Sequence, residues 1–240
     1  MSLLHRPRRT HLAAVASLLV LLAWVAPAFP AGAPAVTAGG IPLDAPWKVR
    51  IYDLAHAKFV HPAWGWQHSE RDYLLAVRLA RGDQLHIDTD VLFAAAFLHD
   101  MAAFMPCPGP KIEHGECAAR QARKMLEGTG FPMQKLAAVQ AAERGHMFYS
   151  TPGGDPNAIV LHDADSLNFL GDLGAARLIA LTGANAPSFA PAVKTLRGFL
   201  TKIPPRLITK TAQRIGARRA AELRAFLDRL QAETDHGRVM

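Results

Sequence analysis

Apolar residues recur along this chain at three- and four-residue intervals, and no stretch alternates convincingly, so the pattern predicts helices and no strands. The most apolar stretch is Val91 to Phe104. It runs without a polar residue from Val91 to Leu98, sets His99 beside Asp100, and turns apolar again. Asp88 and Asp90 stand just ahead, where they can cap a helix start. A helix this apolar is a buried one, and it is expected to run to just before Pro106. A buried His next to a buried Asp is costly unless each has a partner. The pair therefore either hydrogen-bonds within the core or shares a cation.

The other elements follow in order. Trp47 to Phe59 reads as a first helix, with Val49, Tyr52, Leu54 and Ala55 as packing positions. His56 and His61 there read as surface or packing histidines. In Pro62 to Arg81, the residues His68, Asp72, Leu75 and Leu79 keep helical spacing, which puts His68 near the start of a buried stripe. Arg71 lies one turn beyond His68, on the adjacent face. After a turn at Gly82-Asp83 and the central helix, Ile112 to Glu127 forms a helix with His114, Ala118, Ala122 and Met125 on one face. Gly128 and Gly130 end it. Phe131 to Gly145 forms the next, closing at His146. The turn STPGGDPN lacks the strand-to-helix setting of a phosphate-binding loop. Asn157 to Thr182 reads as one long apolar helix. Pro187 to Glu233 is helical with a break at Pro204-Pro205. The fold class is all-α, with one domain over 47–233, a linker over 32–46 and a flexible tail over 234–240.

Composition adds a destination. Arg6, Arg8 and Arg9 precede an uncharged apolar run from Leu12 to Val25, and small residues follow Pro27. That is the pattern of a cleaved secretory signal peptide, residues 1–31, and predicts an exported, periplasmic protein. The alternative is a leader retained as a membrane anchor; the run is short for a spanning helix, so stable membrane insertion is not expected. The formal net charge is +7. Three of those positives belong to the leader, and the others are scattered, which argues against a nucleic-acid surface. Export also changes the reading of Cys107 and Cys117. In an oxidising compartment they are expected to bridge the loop just after His99-Asp100; the alternative is two free thiols.

Four segments carry a resemblance: HSERDYLLAVRLA, AAAFLHD, HGECAARQA and HDADSLNFLG. In order and spacing, the chain from about Trp47 to about Glu233 resembles the HD domain, an all-helical superfamily of metal-dependent phosphohydrolases. The resemblance implies a metal held by His68, His99, Asp100 and Asp165. Asp163, two residues away, is the rival for the fourth place. His162 reads as packing or as support behind the ligands. The family often has an Arg three residues after its first ligand, which would put Arg71 against a carboxylate or a phosphate. Some members bind a second metal through extra histidines, which points to His114 and His146. Those members often show a His-His pair, whereas Gly145 precedes His146 here. Arg177 either reaches the site or pairs with a nearby acid.

Two imidazoles and two carboxylates suit one divalent transition metal (Mn, Fe, Co, Ni or Zn), with Mg admissible and a second ion not excluded. Such an ion polarises a phosphoryl oxygen and lowers the pKa of a bound water. The expectation is hydrolysis of a nucleotide-like phosphomonoester or phosphodiester. His114 and His146 would bind the phosphate or serve as proton donors. Some members also carry an acidic helper just after the His-Asp pair, but Met101, Ala102, Ala103 and Phe104 follow here. A non-catalytic metal- or ligand-binding module is therefore the alternative.

Overall fold

The computed structural model describes residues 35–183 and 188–239. The expected signal peptide, residues 1–31, lies outside them. Among the described residues the protein is all-α, with nine helices: α1 (Pro46–Lys58), α2 (Trp66–Gly82), α3 (Thr89–Leu98), α4 (His114–Leu126), α5 (Leu136–Gly145), α6 (Pro156–Leu167), α7 (Gly171–Gly183), α8 (Ala190–Lys202) and α9 (Lys210–Glu233). None of them is long and apolar enough to cross a membrane.

The helices gather around α3 because α3 has no face that tolerates water. Every residue from Val91 to Leu98 is buried, and α1, α2, α5 and α6 all pack on it. Phe93 stacks on Phe97 with ring centroids 4.5 Å apart, and Trp47 of α1 meets Phe93 edge-on at 5.5 Å. Each such side chain contributes about 1.5–3 kcal/mol when fully buried. The start of α3 is fixed by polar contacts. Asp88 accepts from the Asp90 and Val91 amides. Lys135 joins Asp88 to Asp90, and the buried Lys48 reaches Asp90 at 3.2 Å.

Three expectations about elements are corrected. α3 does not continue to Pro106. It ends at Leu98, His99 is its C-terminal cap, and Asp100 leaves the helix at φ −98°, ψ 7° into a single 3-10 turn, Met101–Ala103. Helical spacing cannot register this, because the apolar pattern itself continues past the break. The expected helix over 157–182 is two, α6 and α7, separated at Asn168 to Leu170, with Gly171 at φ +71°. A side chain at Gly171 would be strained, so glycine is what permits the turn. From residue 35 on, the expected linker is folded onto the core. Thr37, Ile41 and Leu43 are buried, and the Gly39 amide donates to Glu70 Oε1 at 3.0 Å. An Ala/Gly/Pro-rich segment makes a tight hook as readily as an extended strand, and the two apolar anchors select the hook.

Candidate metal centre

Four elements bring side chains to one buried point. His68 lies in the first turn of α2, and Asp72, four residues on, lies on the same face. His99 and Asp100 come from the end of α3, and Asp165 from the last turn of α6. His68 Nε2 is 3.2 Å from Asp72 Oδ2, 3.2 Å from Asp165 Oδ1, 3.5 Å from Asp100 Oδ2 and 3.4 Å from His99 Nε2. His68, Asp72, His99 and Asp165 are buried, and each offers a ligand atom within 4.8 Å of the others. Asp100 is partly exposed, with 18% of its side-chain surface accessible.

A second group adjoins the first. His99, Asp100 and His146 also offer atoms within 4.8 Å of one another. His146 Nε2 lies 3.0 Å from His114 Nε2, and His114 Nε2 lies 3.7 Å from Asp100 Oδ1. Asp100 thus turns one oxygen to each group, a placement that follows from its departure from helical geometry.

The imidazoles are oriented from behind. His99 Nδ1 donates to the Ala96 carbonyl at 2.9 Å, and His146 Nδ1 donates to the Glu143 carbonyl at 2.6 Å. Each bond places a proton on Nδ1 and leaves Nε2 facing the cluster, as metal-ligating histidines require. His114 Nδ1 pairs with Glu113 Oε1 at 2.7 Å, and Tyr149 donates its hydroxyl to the same oxygen at 3.2 Å.

The electrostatics are those of a site short of positive charge. Burial opposes a charged His99, but Asp100, then Asp72 and Asp165, outweigh it and push its pKa up to about 10. Asp100 and Asp165 are held below the usual carboxylate range by His99 and His68 despite their burial. Asp72 goes the other way, pushed up by burial. His146, buried and facing His99, falls to about 4 and stays neutral. Asp72 Oδ2, Asp165 Oδ2 and His68 Nδ1 are buried without a hydrogen-bond partner. Unpartnered buried carboxylate oxygens facing imidazole nitrogens fit a divalent cation, and His/Asp donors suit a transition metal.

The cluster opens on a cavity of about 250 Å³ lined by Trp64, Asp100, Ala103, His114, Met147, Asp165, Phe169 and Arg177. Arg177 is 3% exposed. Its Nη2 is 3.1 Å from His68 Nε2, Nε donates to the Ala63 carbonyl at 2.6 Å, and Nη1 donates to the Asn168 carbonyl at 3.0 Å. Among the described residues it pairs with no carboxylate.

His68, His99, Asp100, Asp165, His114 and His146 therefore meet in one place. Arg71 lies close enough for its charge to act on Asp72 and Arg177, but it bonds to none of these six. It lines none of that cavity, and its Nε is buried without a partner. The residue one turn beyond His68 that shares its face is Asp72, at four positions rather than three, and the guanidinium at the site is Arg177's. Asp163 is also elsewhere. It accepts from the Ile208 and Thr209 amides at 2.9 and 2.7 Å and so fixes the start of α9. His162 turns both ring nitrogens to backbone carbonyls, those of Gly145 and Arg206. A disulfide joins Cys107 to Cys117, with 5.8 Å between their Cα atoms. For Arg177 the structure realises the first of its two alternatives, the site. Asp72, Asn168 and Glu113 have no role assigned from sequence; of these Asp72 alone carries a signal there, as an acid on the stripe of His68, Leu75 and Leu79.

An all-helical fold with a buried His/Asp centre of this order defines a class, and the comparisons agree with it. The family model of the HD domain matches residues 65–170, which contain His68, Asp72, His99, Asp100 and Asp165. The family-model match over these residues and the shared fold support membership of the HD-domain superfamily. No curated protein matches it. Among solved structures, a Lactobacillus plantarum protein is similar at 23% identity over 78% of this chain and 96% of its own, with a TM-score of 0.61. A predicted HD superfamily hydrolase from an uncultured Thermotogales bacterium is 22% identical over 79% of this chain and 94% of its own, with a TM-score of 0.56. Bacillus subtilis YpgQ, solved in complex with ADP, is 17% identical over 78% of this chain and 97% of its own, with a TM-score of 0.59. At these identities the likeness shows a shared fold.

Proposed function

We propose that this protein is a metal-dependent phosphohydrolase acting on nucleotide-like phosphomonoesters or phosphodiesters. One observation carries the reading: His68, His99 and Asp165 converge with unpartnered carboxylate oxygens beneath a cavity that reaches the surface. With Asp100 they would hold one divalent transition metal. Such an ion supplies Lewis acidity toward a phosphoryl oxygen and a water of lowered pKa.

The chain's own groups supply the rest. Arg177 faces the cavity with its guanidinium already desolvated and unpaired with any carboxylate, so an anionic phosphoryl group is a suitable partner. His114 lines the cavity and is oriented by Glu113, which places Nε2 to hand a proton to a leaving oxygen. That pair supplies the carboxylate missing from the residues after Asp100. Trp64, Met147 and Phe169 give the cavity an apolar wall that would exclude water and accept an aromatic group such as a base. ADP in YpgQ supports a nucleotide-like ligand.

The test is to remove metal with chelator, reload singly with Mn, Fe, Co, Ni, Zn or Mg, and assay p-nitrophenyl phosphate, bis-p-nitrophenyl phosphate and nucleotides. Metal-dependent turnover, lost in His99→Ala, supports the reading. Tight metal binding with no turnover of any ester would favour a non-catalytic binding module. Elemental analysis separates one ion per chain from two, the second resting on Asp100, His114 and His146. The disulfide supports export to an oxidising compartment such as the periplasm. The mass of the N-terminus of the cell-purified protein tests cleavage of residues 1–31.

A further inference from the structure

Asp72 stands outside the ligand set that the resemblance implies, yet it is the most enclosed carboxylate of the centre, at 0% exposure. Its two oxygens differ. Oδ1 accepts from Asn168 Nδ2, which holds the carboxylate from behind. Oδ2 has no hydrogen-bond partner, and it lies 3.2 Å from His68 Nε2 and 3.5 Å from His99 Nε2, the atoms that face Asp165 and Asp100. The arrangement is built by two separate elements. The four-residue spacing on α2 puts Asp72 under His68, and the break between α6 and α7 delivers Asn168 to Asp72.

A buried carboxylate beside other carboxylates costs several kcal/mol unless a cation offsets it. Arg177 and Arg71 are permanent cations whose charges act on Asp72, but Arg71 forms no ion pair with it, and the Arg177 N–H groups are directed at the Ala63 and Asn168 carbonyls and at His68. None is directed at Asp72. A carboxylate serving only as an acceptor for Asn168 could be an amide, with no second anionic oxygen aimed at two imidazoles.

We propose that Asp72 is a direct metal ligand. The inner cage is then His68, Asp72, His99 and Asp165, and Asp100 joins this cage to the outer group of His114 and His146. The inference rests on the metal-centre reading above. It makes the donor set two nitrogens and three carboxylates, which suits a six-coordinate ion such as Mn²⁺ or Fe²⁺ better than tetrahedral zinc.

The test measures Mn²⁺ binding to chelator-treated protein by calorimetry. Asp72→Asn keeps the side-chain size and an acceptor for Asn168, and removes only the anionic oxygen. It is expected to weaken Mn²⁺ binding at least about tenfold, while metal-free Asp72→Asn melts no lower than the metal-free wild type. Asp165→Ala is the reference for loss of an implied ligand. Wild-type affinity in Asp72→Asn, with affinity lost in Asp165→Ala, overturns the role of Asp72 and leaves the centre standing. No Mn²⁺ bound by the wild type, or none lost in Asp165→Ala, overturns the centre and this inference with it. Asp72→Cys loaded with Co²⁺ gives a direct readout should the amide variant fail to fold. A thiolate-to-cobalt charge-transfer band in the near ultraviolet is expected if residue 72 touches the metal. Bound cobalt without that band overturns the proposal.

Discussion

At the scale of single residues, chemistry is divided by small differences in direction. Asp163 and Asp165 are two positions apart on α6, yet Asp165 faces His68 while Asp163 holds the first amides of the turn into α9. Their alanine variants should therefore fail differently. Asp165→Ala is expected to fold and to lose metal, read by elemental analysis. Asp163→Ala is expected to keep metal and to lose about 1–3 kcal/mol in urea melts, because two amides lose their acceptor. His114 offers another separation. If it delivers a proton to the leaving oxygen, His114→Ala lowers kcat about 10²–10⁴-fold on esters with a poor leaving group, and far less on p-nitrophenyl phosphate. A loss equal on both substrates would remove the proton-donor role.

At the scale of elements, the site depends on where helices start and stop. The start of α3 is held by Asp88, Asp90, Lys135 and Lys48. Burial would raise the Asp90 pKa, but the bonds from Lys135 and Lys48 hold it below the unfolded value of 3.8. A carboxylate lowered in the folded state contributes stability that is present above its unfolded pKa. That stability is lost as pH falls through the folded value. Asp90→Asn is expected to be less stable by about 0.5–1 kcal/mol at neutral pH, with the gap closing below pH 3.8. The same loss at all pH values would rule out the charge as its cause. The disulfide works on the neighbouring element. Cys117 sits one turn into α4, whose first residue is His114, and Cys107 sits in the loop after Asp100. Replacing both cysteines by Ser is expected to cost roughly 2–3 kcal/mol and to lower activity by loosening His114. Unchanged kcat with lowered stability would confine the bridge to a structural role.

At the scale of the whole molecule, the centre ties α2, α3 and α6 together through side chains of one charge excess. Metal should therefore stabilise the fold as well as serve the chemistry. Ligand at a hundred times its Kd adds about 2.7 kcal/mol. The melting temperature is expected to fall on chelation and to rise with the logarithm of added Mn²⁺. A melting temperature indifferent to metal would show that the helices are held by the apolar core alone. That core was legible in advance. The run from Val91 to Leu98 marks the central helix by composition alone, and the periodic stripes of the other helices mark their inner faces. The ends were less legible. The pattern ran on past His99 and past Leu167, because apolar residues pack as well beyond a helix end as within it.

The sequence by itself determined an all-helical chain with a buried His-Asp pair, because the period of apolar residues and the cost of burying polar ones are local properties. Its resemblance to the HD domain also implied His68, His99, Asp100 and Asp165 as ligands, with Asp163 as the rival for the last. Only the tertiary structure decided which groups face one another. It turned Asp165 rather than Asp163 to His68, brought Arg177 to the cavity, set Glu113 behind His114, and placed Asp72 against His68 and His99. The physical reason is that direction is not periodic at a helix end. Where Asp100 leaves α3, and where Asn168 interrupts α6 and α7, the backbone turns out of helical geometry, and the positions of the side chains follow from packing between elements far apart in sequence.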